Sequence, residues 1–105
     1  MRAQDFATKA AGLVSGDRDR QHGAKRDNLD RIAIMWNAWL RVRRAPVAEL
    51  EARDVAAMMA CLKLARMESG AFNEDDGVDL IGYASILGEL DWEDNMPAVE
   101  GEGRD

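Results

Sequence analysis

The chain has 105 residues, a length that suits one domain, and 47% apolar against 6% aromatic residues, which favours thin, closely packed helices over a β-sandwich. Its net charge of −6, from 20 acidic and 14 basic residues, excludes a general nucleic-acid-coating role, because such binding draws on a basic face. A single cysteine, Cys61, excludes an intramolecular disulfide, and no apolar run approaches the roughly 18 residues of a membrane span. No signal-peptide pattern is present, so a soluble cytoplasmic protein is expected.

No stretch keeps a period of two, so the expected fold is all-α. Four main helices form a small bundle, completed by homo-oligomerisation into a dimer or tetramer. In the first helix Ala3, Phe6, Ala7, Ala10, Leu13 and Val14 follow the i, i+3, i+4 rhythm, ending near Gly16. The polar loop "SGDRDRQHGAKRDN" leads to a second helix that Asp27 or Asn28 caps, with Leu29, Ile32, Ala33, Trp36, Trp39 and Leu40 on one side. "RVRRAP" ends it, since Pro46 disfavours a helical residue before it. The third helix spans about 51–67 with Val55, Met58, Met59, Leu62 and Ala65 inward. The fourth, about 76–90, is capped by Asp75 or Asp76 and turns Leu80, Tyr83, Ile86, Leu87 and Leu90 inward. Val78 and Ile81 point away from that stripe, so this helix has apolar surface on two sides and invites a partner. Residues 1–92 are expected to form one helical domain, and 93–105 an acidic, disordered tail.

Acids interrupt these apolar faces. Glu51 and Asp54 fall within the arc of Val55, Met58 and Leu62, and Asp76 and Asp79 within that of Leu80 and Tyr83. Four converging carboxylates repel one another unless a cation lies between them, and carboxylate oxygens are what Mg²⁺ or Mn²⁺ prefers. The plainer reading needs no metal. Acids at a helix start meet the positive end of the dipole, and Asp79 can pair with Lys63 or Arg66 instead.

Glu51-Ala52-Arg53-Asp54, followed after residues 55–75 by Asp76-Gly77-Val78-Asp79, resembles the two-helix acidic signature of the MazG-like all-α nucleoside triphosphate pyrophosphohydrolases. That family carries a Glu-Glu-x-x-Glu helix and then Glu-x-x-Asp. Glu51 and Asp54 stand for its second and third glutamates, and Asp76 and Asp79 for the later pair. Leu50 replaces the first glutamate, and Asp54 and Asp76 are one methylene shorter than Glu. The chain is also similar over most of its length to small phage proteins, through "GDRDRQHG", "WNAWL", "DVAAMMACLKLAR" and "VDLIGYA". In a phage the compartment would be the host cytoplasm.

The first resemblance implies a (deoxy)nucleoside triphosphate substrate, hydrolysed to monophosphate and pyrophosphate with Mg or Mn held by Glu51, Asp54, Asp76 and Asp79. Glu51 would take the proton of the attacking water, and Lys63 and Arg66 would stabilise the departing pyrophosphate. Arg18, His22, Lys25 and Asn28 would close over the nucleotide, while Trp36 and Tyr83 line its site. The alternative from a different class is a non-enzymatic acidic helical protein that binds and inhibits a host protein. His22, as the only histidine, excludes a histidine-aspartate phosphohydrolase, and neither a P-loop nor Cys/His zinc spacing is present.

Overall fold

The computed structural model describes residues 1–13 and 25–97, and the described residues form four helices and no strand. They are α1 (Ala3–Leu13), α2 (Lys25–Val42), α3 (Ala52–Met67) and α4 (Glu74–Asn95). The all-α expectation holds. Val14, Gly16, Arg18, His22 and the end of the tail lie outside the described residues.

Each helix begins and ends for a local reason. In α1 the Asp5 carboxylate accepts the Arg2 amide proton at 2.8 Å, satisfying a donor at the helix start. α2 starts at Lys25, so Asp27 and Asn28 lie inside it rather than capping it; Asp27 in the first turn and Arg41 in the last each complement the helix dipole. α3 starts at Glu51, whose extended backbone N–H donates to the Asp54 carboxylate at 2.9 Å. It stops where the Ser69 amide reaches back to Arg66 O and Gly70 turns left-handed at φ 70°. The cap of α4 is Asn73 rather than Asp75 or Asp76: its side chain accepts the Asp75 N–H at 3.0 Å. Glu74, Asp75 and Asp76 then fill the first turn, and the helix continues past Leu90 to Asn95.

α3 is the middle element, packed on α2 along one side and α4 along the other. Both neighbours run antiparallel to it. Arg31 of α2 reaches Glu68 O, Trp36 donates its indole N–H to Met58 O at 2.6 Å, and Trp39 and Arg43 meet Asp54. On the other side Arg53 pairs with Asp91, and Lys63 with Asp79. The buried apolar residues among those described are small: Ala56, Ala57 and Ala65. Small side chains let neighbouring helices approach closely, but they leave little apolar area removed from water.

α3, with neighbours on two sides, has two inward arcs, and several residues on all three packed helices depart from their expected places. Val55 is 52% exposed, and Leu29, Ala33 and Ile86 are also exposed. Ile32, Trp36, Trp39, Leu40, Met58, Met59, Leu62, Leu80, Tyr83, Leu87 and Leu90 are half-buried as the helical period requires. No residue of α1 is buried.

Candidate functional site

The antiparallel α3–α4 pair decides which polar residues meet. Asp76 and Asp79 begin α4 and therefore lie beside the C-terminal half of α3. Lys63 Nζ is 3.0 Å from Asp79 Oδ2 and 4.0 Å from Asp76 Oδ1, and Arg66 Nε is 3.5 Å from Asp76 Oδ1. Asp76 is buried while Asp79 is half-buried, so one carboxylate is enclosed and the other open to solvent. Tyr83 follows Asp79 one turn along α4 and is half-buried. The N-terminus of α2, with exposed Lys25 and half-buried Asn28, lies toward this same end, as the Arg31–Glu68 contact requires. On the other flank of α3 an apolar groove of about 410 Å³ lies between Ile34 and Met35 of α2 and Leu64 and Ala65 of α3, bounded by Arg31 and Glu68.

Glu51 and Asp54 occupy the opposite end. Asp54 is buried, and its Oδ2 takes the Glu51 N–H and lies 3.2 Å from Arg43 Nη1. Trp39 donates its indole N–H to Asp54 Oδ1 at 3.3 Å. Arg43, itself buried, extends its guanidinium to the carbonyls of Pro46 and Ala48. The Glu51 N–H bond, with Trp39 and Arg43 adding to it, holds the Asp54 carboxyl below the ordinary carboxylate range, although burial opposes this. Arg53 forms a two-pronged pair with Asp91 and lies over the Trp39 ring. The hydrogen bond from Arg53 likewise lowers Asp91, and the same bond raises Arg53.

The four-acid metal centre expected from the sequence is therefore not assembled within one chain. Asp54 and Lys63 are nine positions apart on α3, about 14 Å of helix rise. Among the described residues no group of three or more His, Cys, Asp and Glu comes together in a way that could hold a metal ion. The donors do not fit a resident metal built from Glu51, Asp54, Asp76 and Asp79. The plainer sequence reading accounts for what is seen: Glu51 and Asp54 build a helix start, and Asp79 pairs with Lys63. Trp36 is half-buried and donates its indole N–H to Met58 O.

Arg43 was not singled out from the sequence. Its signal was a run of three arginines beside Pro46, and nothing in that run marks which one turns inward.

Residues 6–91 match a family described as a domain of unknown function, DUF6378. The chain belongs to that family. It is 35% identical over 83 residues to the Gene 55 protein of Mycobacterium phage L5, a match covering 79% of this chain and 50% of the relative. It is 28% identical over 102 residues to the Gene 55 protein of Mycobacterium phage D29, covering 97% of this chain and 61% of the relative. The chain thus spans between half and about three-fifths of the length of these two relatives. No solved structure matches. The phage resemblance read from the sequence is borne out at family level. No helix among the described residues is long and apolar enough to cross a membrane.

Proposed function

We propose that the protein binds a magnesium- or manganese-complexed (deoxy)nucleoside triphosphate at the end where Lys63, Arg66, Asp76 and Asp79 meet, and hydrolyses it to monophosphate and pyrophosphate. The observation that supports this is the meeting of two carboxylates and two cationic side chains at one junction of α3 and α4. Mg²⁺ is commonly held by one or two carboxylates together with substrate phosphates, so two acids suffice when the cation arrives with its nucleotide. The cation would neutralise phosphate charge. Lys63 and Arg66 exchange their carboxylate partners for phosphate oxygens.

In the reaction a water oxygen bonds to the α-phosphorus, the bond from that phosphorus to the bridging oxygen breaks, and pyrophosphate leaves. Asp79, the open carboxylate of the pair, accepts the proton of that water. Glu51, given this task by family analogy, lies at the far end and takes no part within the same chain.

Incubation with each common triphosphate and Mn²⁺ should release pyrophosphate and monophosphate, with Asp79→Asn inactive and Glu51→Gln active. Orthophosphate and diphosphate as products would mean a different phosphohydrolase. A second reading, the acidic helical protein that binds and inhibits a host protein, draws on one observation. Asp54, Asp76 and Asp79 all have counter-charges within the chain, so the fold does not call for a cation. No turnover of any nucleotide and no nucleotide-dependent stabilisation would favour it.

A further inference from the structure

α1 has 11 residues and none of them is buried. A helix this short is marginal in water unless its apolar face is packed. That face carries Ala3, Phe6, Ala7, Ala10 and Leu13, with Phe6 61% and Leu13 57% exposed. α4 shows a matching deficit on the side away from α3. Val78, Ile81, Ser85, Gly88 and Trp92 recur at helical spacing there and are all exposed. Gly82 and Gly88 lie within α4, where glycine is destabilising relative to alanine, and a Cβ at either would meet nothing within 4 Å. Among the described residues no close approach requires these two glycines. A helix arriving from outside, with an alanine-rich face, would use them.

We propose that α1 of a second copy of the chain packs on the Val78–Trp92 face of α4, and that two copies exchange their α1 helices reciprocally. Charge favours this occupant. α4 carries eight acids and no Lys or Arg, so two α4 helices face to face would set acid against acid. α1 brings Lys9, and Arg2 just before it, against Asp5 alone. The 11 residues of α1 rise about 16 Å against about 21 Å for Val78 to Trp92, so one α1 covers most of that face. No residue of α1 is buried in its own chain, whereas reciprocal exchange covers both exposed faces in each copy and closes the assembly as a two-fold dimer. The inference is independent of the nucleotide reading.

Cysteine trapping tests it in the full chain, with Cys61→Ser as background. One chain carries Ala7→Cys and the other Ser85→Cys, an exposed position whose side chain changes little. Mixed and oxidised, they should give a disulfide-linked heterodimer as the main product. Phe6→Asp in the first chain should reduce its yield about tenfold or more, since it removes a buried aromatic anchor. The Ser85→Cys thiol should also react with maleimide more slowly than in the Phe6→Asp chain, a comparison that needs no cross-link. Three results overturn the proposal: Ser85→Cys homodimers as the main product, cross-linking only within a single chain carrying both cysteines, or equal maleimide rates with and without Phe6→Asp.

Discussion

Asp54 is held at once by a backbone amide, an indole and two guanidinium groups, from Glu51, Trp39, Arg43 and Arg53. Removing one partner of a buried pair leaves the other charge unsatisfied, so Asp54→Ala should cost about 3 kcal/mol or more in urea unfolding. The pH dependence has a definite sign. A carboxyl held below its unfolded value contributes stability above about pH 4, and that contribution is lost as pH falls through the folded value. The urea midpoint should therefore change little between neutral pH and about pH 5, then fall in more acid solution. Asp54→Asn should flatten that acid fall while lowering the midpoint throughout. The inward acids were legible in the sequence as an anomaly, and Lys63 was legible as a partner for Asp79. The partner of Asp54 was not, because Arg43 belongs to another helix end and its neighbours Arg41 and Arg44 look the same in one dimension.

At the level of elements, the helices themselves were plain from periodicity, and three of the four have a start within two residues of expectation or a recognisable stop. The boundaries of α4 were less so. Asn73, Asp75 and Asp76 are all competent caps, and only the geometry shows that Asn73 bonds the Asp75 amide. Asn73→Ala should destabilise the protein by about 1 kcal/mol, with Asn73→Asp close to wild type, as read by chemical denaturation. The far end extends because the acidic "DWEDN" contains no breaker before Pro97, so composition suggested a tail where the backbone still closes helical bonds up to Met96. The face assignment failed at Val55 for another reason. A single inward stripe describes a helix on the surface of a core, while α3 is flanked on both sides.

For the whole molecule the decisive fact is direction. Acid pairs near the starts of two consecutive antiparallel helices lie at opposite ends of the pair, and spacing alone does not reveal this. If Mn²⁺ and a triphosphate bind where proposed, the nucleotide should raise the melting temperature of the wild type and of Glu51→Gln equally. Lys63→Ala should abolish most of that shift. Equal loss in both variants would move the site to contacts between chains.

The Arg43 guanidinium joins Asp54 at the start of α3 to two carbonyls of the segment that follows α2. Mechanically, it makes this connection a locked elbow. The other connection, from Ser69 to Asn73, is exposed from Gly70 onward and ends at an ion-pair cluster whose members can change partners. The three-helix unit is thus anchored at one end and able to breathe at the other. Local opening should follow the same gradient. In native-state hydrogen exchange, the amides of Asp54–Ala57 should exchange near the rate of global unfolding, and those of Asp76–Leu80 faster. Arg43→Met should speed exchange at the start of α3 while leaving the start of α4 unchanged. Uniform protection along both helices would show that the elbow and the ion-pair cluster open as one.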